Sequence, residues 1–558
     1  MQTAPPPVPT RMRKSRHLSW FAHMDAVYLF HDLYGYLMEM SPDIADFITA
    51  FGDGADSTET IDAFRARFTD ADPRQFAEVL AAHSVLVPLD EDERENLWAF
   101  VAIKGKWNVW QRRGDRIVLV TAWGERPVQQ LFLDADETKM WDAMDGEKRL
   151  NELRLAHDAD KLLRLVTRLT HSDVQALKLS MMPASLYAKR PALAPPYLTS
   201  TMPYESWTPG APVPKMAALD TYHTQAITNA DEQFDHVETT LSHLFRVPHP
   251  ALAGKTYGQA LAGVLVARGL VPAGRVRVLE IGAGLGYVAK DLIATLREAG
   301  REVEYTIVEL SPQLMGAQQA RIGDAATWVA GDVLGSAVGG SLHGKAFDLI
   351  LSNEMIGDLP AKAITREDFG LAADGGTADR EKVRAVSAAA AELGLMLDDA
   401  PSEGYLQTGA IELVVKIAGW LAPGGTAVIT EFGEQAMWPR LSTQLDHPEL
   451  STHFGHIVQA ARAAGLEAKM EFIIDTLDVV RTEKGLATTR SHFRALRALA
   501  ADAGVDLPKI GYTPELLAAT VGDKLDIAHV GELRWDKIED RLMGLVPHEF
   551  KAVFATKK

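Results

Sequence analysis

Val276-Arg-Val-Leu-Glu-Ile-Gly-Ala-Gly-Leu-Gly-Tyr287 is the stretch from which the fold can be read. Val276, Val278 and Ile281 read as a strand covered on both faces, as in a parallel sheet. Gly282, Ala283, Gly284 and Gly286 then predict a tight turn into a helix at 287–299. Glycine suits such a turn because a Cβ would keep a ligand away from the backbone. Alone, Gly-x-Gly-x-Gly is a weak signal, since many structural turns share it.

The spacing downstream strengthens it. Val303-Glu-Tyr-Thr-Ile-Val-Glu309 is a second strand ending in an acid, followed by Leu310. An acid at that edge can accept bonds from both hydroxyls of a ribose. Ala326-Thr-Trp-Val-Ala-Gly-Asp332 ends a third strand in Gly331-Asp332, next to Val333, and suits an adenine amine. Phe347 to Asn353 is a fourth strand, running into Asn353-Glu354, and Leu421 to Glu431 supplies a turn and a fifth. Each tip brings polar groups to the carboxyl edge, where open α/β sheets bind ligands. The expected fold class is α/β, a Rossmann-like sheet with helices on both faces.

This series resembles the class I S-adenosylmethionine-dependent methyltransferases, which implies S-adenosylmethionine as cofactor. A nicotinamide dehydrogenase is the competing reading, but its Gly-x-Gly-x-x-Gly places the third glycine one residue later. Glu280, just before the first glycine, stands where such methyltransferases keep an acid near the cationic end of the cofactor. The resemblance therefore assigns Glu280, Gly282, Ala283, Gly284, Gly286, Glu309, Leu310, Gly331, Asp332, Val333 and Asn353 to cofactor binding.

A narrower resemblance follows. Ser352-Asn-Glu-Met-Ile-Gly-Asp-Leu-Pro360, Thr430-Glu-Phe-Gly433, Leu450-Ser-Thr-His-Phe-Gly-His456 and Leu542-Met-Gly-Leu-Val-Pro-His-Glu-Phe-Lys551 are similar, in order, to segments of MidA-like methyltransferases. That implies methylation of arginine on a protein partner and a part in respiratory-complex assembly. Gly357-Asp358-Leu359 departs by one position from the family's Asp-Ala-Leu. Glu354 and Asp358 are the candidate catalytic acids, able to hold a guanidinium against the methyl donor. Acids just past a strand also cap helix N-termini. Glu403 and Glu431 are weaker candidates for the same duty. Tyr257 and Tyr405 could line an acceptor channel, although both also fit as core aromatics. His453 and His456 share a helical face near His447 and read as a helix-start pair, with no metal site expected.

The 558 residues predict about three or four domains. Residues 1–17 read as a disordered tail. Residues 18–95 and 96–182 repeat one order of elements: a strand, a helix capped by Ser41 or Asp134, a turn, two helices and a strand. They read as small α+β winged-helix-like units resembling PqqD-like domains, which clamp a leader peptide at a sheet edge; a helical lid or dimerisation module is the alternative reading of this zone. Residues 183–215 are a Pro-rich linker or strap, and 216–558 the methyltransferase domain with an insertion at 361–403. The amphipathic helix from His492 to Ala501 is core by default, and could also build a homodimer or partner surface.

A net charge of −18 disfavours nucleic acid as a partner, and zero cysteine removes thiolate chemistry and Cys-ligated metals. No apolar run reaches the roughly 18 residues of a membrane span. The expectation is a cytoplasmic enzyme acting on a peptide or protein. It would either tailor a ribosomally made peptide or serve as an assembly factor. A non-catalytic binding module is the third reading.

Overall fold

The computed structural model describes residues 9–23, 26–68, 71–123, 126–190, 205–213, 240–442, 449–487, 490–539 and 550–558. His447, residues 191–204 and 214–215 of the Pro-rich stretch, and most of the Leu542–Lys551 motif lie outside them. The chain forms two compact units. One is Met1–Met216 with Thr488–Leu507 and Thr520–Leu533; the other is Ala217–Ala487 with Pro508–Ala519 and Arg534–Lys558.

The first unit shows the repeated element order. Tyr36–Met40, Pro42–Ala50, Ser57–Phe64, Pro73–Ala82 and Leu86–Pro88 make the first copy. Gln129–Leu133, Ala135–Ala143, Leu150–Leu153, Ala159–Thr170 and Leu177–Ser180 make the second. Ser41 Oγ accepts from Ile44 N, and Asp134 closes a reciprocal capping box with Glu137, so the cap residues read from sequence start their helices. Each copy packs a core of its own, around Phe47 and Phe51 in one and Trp141 and Leu165 in the other.

Two sequence boundaries are corrected here. Arg11–Lys14, expected in a disordered tail, is a strand between Ala55–Asp56 and Leu86–Pro88. It is held because Met12 is fully buried and Arg13 meets Glu93 at 2.6 Å, with both side chains at most 5% exposed. Glu93→Ala would leave that guanidinium buried without its charge partner. The expected result is a loss of about 3–5 kcal/mol in the unfolding of this unit, read from denaturant midpoints. The catalytic block 216–558 is also interrupted. Helix Arg490–Asp502 lies against strands Asn108–Arg113 and Arg116–Thr121 of the first unit, burying Phe493, Leu496 and Leu499. This is the core packing expected by default for that helix.

The second unit is built on one mixed sheet. Its strands are β1 (Arg275–Ile281), β2 (Glu302–Glu309), β3 (Ala326–Ala330), β4 (Phe347–Asn353), β5 (Leu421–Glu434), β6 (Leu466–Phe472) and β7 (Phe550–Lys557). Their order is β3-β2-β1-β4-β5-β7-β6, and β7 runs antiparallel to both of its neighbours. A dinucleotide-binding sheet continues 1-4-5-6 without that intruding strand. Helices α1 (Tyr257–Ala267) and α2 (Tyr287–Glu298) bury one face with Val276, Val278 and Leu349. Helices α3 (Thr408–Trp420) and α4 (Phe454–Ala463) bury the other with Leu279, Ile281 and Ile350.

The 361–403 insertion is folded onto that second face. Strands Lys362–Thr365 and Glu403–Leu406 pair at its base, and Phe369, Val383 and Leu397 join the core. Among the described residues no helix is long and apolar enough to cross a membrane.

Candidate active site

The glycine turn after β1 is set by backbone geometry. Gly282 and Gly286 have φ of 67° and 78°, a region costly for residues that carry a Cβ. A Cβ on Gly282 would come 2.7 Å from Met355 Cγ, and one on Gly286 would press on Gln318 and Ile322 at 3.3 Å. The missing side chains let Met355, Gln318 and Ile322 pack directly against the main chain of the turn.

Acids surround it. Glu280, on the face of β1 shared with Val278, is buried and accepts a bond from the Tyr305 hydroxyl at 2.8 Å. Burial pushes its carboxyl up to about 7. Glu309, at the β2 tip, is fixed from two sides. Ser311 N donates to Oε1 at 3.0 Å and Gln318 Nε2 to Oε2 at 2.8 Å, while the same Nε2 also reaches Gly284 O at 2.8 Å. Trp328 Nε1 donates to the Gln318 carbonyl and orients the amide. Gln318 thus couples the glycine turn to Glu309. Burial raises the Glu309 carboxyl above its ordinary range.

Gly331 N donates to Glu309 O at 2.9 Å, tying the β3 tip to the β2 tip. Asp332 is exposed there, with Oδ1 accepting from Leu334 N. Val333 is buried, and Leu310 follows Glu309 directly. These three tips present a buried acid, an acid suited to a diol and an exposed acid beside side-chain-free backbone. That donor and acceptor set fits a nucleoside carrying a positive charge, so the residues present fit S-adenosylmethionine.

The β4 and β5 tips form the second half. Asn353 Oδ1 accepts from Tyr257 and Thr430 hydroxyls, each at 2.8 Å, which turns its Nδ2 toward Ser242 Oγ at 3.1 Å and Glu354 Oε1 at 3.3 Å. Glu354 stands at φ 50°, a strained backbone for a side chain of its size. Its two oxygens accept Leu241 N at 2.6 Å and Ser242 N at 3.0 Å. It therefore caps the short helix Leu241–Leu244, although that helix lies far from it in sequence.

Asp358 follows in the turn Ile356–Asp358, and burial pushes its carboxyl up to about 7. Glu431 accepts Gly357 N at 3.1 Å and Phe432 N at 3.0 Å. Burial, then the charges of Asp358 and Glu354, push the Glu431 carboxyl well above its ordinary range.

The structure thus brings Glu354, Asp358 and Glu431 to one corner with Asn353 and Tyr257. Glu403 and Tyr405 lie instead on the insertion hairpin. Sequence reading missed Gln318, Tyr305 and Ser242. The ring centroids of His453 and His456 stack at 3.6 Å, and both imidazoles are driven down by burial, His456 to about 3. Among the described residues no group of three or more such side chains is arranged to hold a metal ion.

Residues 264–437, which carry β1 to β5, match a family model described as "Putative S-adenosyl-L-methionine-dependent methyltransferase". No curated protein matches the chain. Among solved structures, a COG1565 superfamily member from Burkholderia thailandensis bound to S-adenosyl-homocysteine is similar at 19% identity, over 59% of this chain and 81% of that one, with a TM-score of 0.31. Phosphoethanolamine N-methyltransferase 2 of Haemonchus contortus, in complex with S-adenosyl-L-methionine, is similar at 14% identity over 64% and 62%, with a TM-score of 0.29. A TehB-like methyltransferase from Corynebacterium glutamicum gives 20% identity over 39% and 78%, with a TM-score of 0.21. Overlaps this low place no residue of this chain; the family match and the strand-tip geometry carry the assignment. The protein is an S-adenosylmethionine-dependent methyltransferase.

Proposed function

We propose that this enzyme methylates a cationic side chain, arginine first, on a peptide or protein, and that the first unit recruits that substrate. The carrying observation is the corner of carboxylates formed by Glu354, Asp358 and Glu431, of which Glu431 is buried and the other two are half-buried. Among the described residues no Lys or Arg pairs with Glu354 or Glu431. Buried acids are costly unless something compensates them, and a guanidinium would do so with directional bonds.

When bound, the cofactor supplies a methyl group on a positively charged sulfur. The chain's own residues must hold one substrate nitrogen in line and exclude water. As the new N–C bond forms and the S–C bond breaks, the nitrogen has to lose a proton. An acid poised near neutrality, as Asp358 is, suits that transfer. Glu354 has both oxygens occupied by backbone N–H groups, so its part is to seat Leu241–Leu244 against Asn353. Glu354→Gln is expected to cost about 1–3 kcal/mol of stability, since an amide N–H then faces a backbone N–H. Transfer should slow while calorimetric affinity for S-adenosylhomocysteine holds.

Recruitment by the first unit extends its likeness to tandem winged-helix, PqqD-like domains. Strands Tyr36–Met40 and Gln129–Leu133 each pair on a single side among the described residues, and Phe132 on the second is 68% exposed. Such edges accept an added strand.

The test is mass spectrometry of arginine-containing peptides and of cell extract incubated with the purified chain and S-adenosylmethionine. Methyl gained on arginine side chains is the expected result. Methyl found only on small molecules, or only on uncharged groups, would overturn the reading.

A further inference from the structure

Beside the acid corner, on the sheet face that carries Glu431, a second polar group lies buried. Gln407, Trp438, Thr452 and His453 are each at most 9% exposed. Gln407 Nε2, Trp438 Nε1, Thr452 Oγ1 and His453 Nε2 have no hydrogen-bond partner among the described residues. The four are neighbours. His453 N donates to Gln407 Oε1 at 3.2 Å, and the Trp438 and His453 rings meet edge to face at 5.9 Å. Thr452 pairs with Gly433, two residues beyond Glu431. Gly409 N donates to Pro360 O at 2.8 Å, which ties the Gln407 turn to the Asp358 turn.

Their chemistry is one-sided. His453 Nδ1 accepts His456 N at 3.1 Å, so the proton of a neutral ring sits on Nε2. The Gln407 nitrogen and the indole nitrogen can only donate, and the threonine hydroxyl can donate. Leaving so many buried donors unmet is costly, and native structures rarely do it without a reason. A carboxylate is a poor occupant because the acids at Asp358 and Glu431 would repel it. A neutral carbonyl oxygen answers the donors without that penalty.

We propose that Gln407, Trp438, Thr452 and His453 form a donor-lined subsite for a carbonyl oxygen of the acceptor, the amide of the residue whose side chain enters the acid corner. This deepens the acceptor reading above and rests on it. An arginine side chain is long enough to separate a guanidinium at one subsite from its own carbonyl at the other. The subsite would then distinguish peptide-bonded arginine from free guanidino compounds.

The test is calorimetry on the full chain, saturated with S-adenosylhomocysteine, using two probes: N-acetylarginine N-methylamide and butylguanidine, which lacks the carbonyls. Wild type is expected to prefer the amide probe by about tenfold. Trp438→Phe, which removes only the indole N–H, and Thr452→Val, which keeps the shape, should each erase most of that preference while butylguanidine binding stays level. Equal binding of both probes to wild type, or variants that retain the preference, would mean that the donors serve internal water, and would overturn this subsite alone. Binding of neither probe would remove the guanidinium reading and the subsite with it.

Discussion

Glu309→Ala is expected to lower the affinity for S-adenosylhomocysteine by about 100-fold or more, read by calorimetry on a protein that still melts cooperatively. Bonds from neutral hydroxyls to a charged acceptor contribute about 1.5–3 kcal/mol each, and an acid at this tip can take two. The substitution also frees Gln318, whose amide nitrogen joins Glu309 to Gly284 O. The glycine turn then loses its outer brace. Gln318→Ala separates the two effects. It leaves the carboxylate in place and loosens only the brace, so its expected loss is nearer tenfold. If Glu309→Ala bound the product as tightly as wild type, the β2 tip would not be the ribose site, and the cofactor would have to lie elsewhere in the fold.

The β tips were legible because each is a short apolar run that stops at a polar residue. Periodicity and the glycine spacing place them without knowledge of the packing. Gln318 was not legible for the opposite reason. Helix Pro312–Ile322 carries Gln313, Gln318 and Gln319, and nothing local says which of them turns toward Glu309. Tyr305 sits in an alternating strand and reads as a core aromatic; its hydroxyl matters only because Glu280 comes beside it on the neighbouring strand. The Arg11–Lys14 strand escaped because its string of bases looks solvated. Its partner Glu93 is 80 residues away. Helix Arg490–Asp502 was readable as amphipathic, but the sheet it covers lies hundreds of residues upstream, and no local pattern encodes that return.

Asp358→Asn should give effects of opposite sign on stability and on catalysis, and that opposition is diagnostic. A raised carboxyl works against the fold at high pH. The unfolded chain releases the Asp358 proton near its usual pKa of about 4. The folded chain keeps that proton until about 7. Between those values the native state binds more protons than the unfolded state, so stability falls as pH rises through the window, and above it a buried charge must be carried. Asparagine carries none. At pH 8 the variant is therefore expected to be more stable than wild type by roughly 2–4 kcal/mol. Glu280 is also pushed up to about 7 and remains in the variant, so some slope persists. The difference between the two stability curves isolates Asp358. Catalysis should move the other way. Wild-type kcat/KM for a guanidinium substrate should climb as pH rises through 7 and Asp358 ionises. The variant should lose about 100-fold at pH 8 and have a flatter profile, because the cation has lost a charge-assisted partner worth up to about 3 kcal/mol. A variant that was both less stable and fully active would show Asp358 to be a packing residue, and the acceptor would have to be sought away from this corner. Gain of stability with loss of turnover is the pattern of a site that holds strain for use.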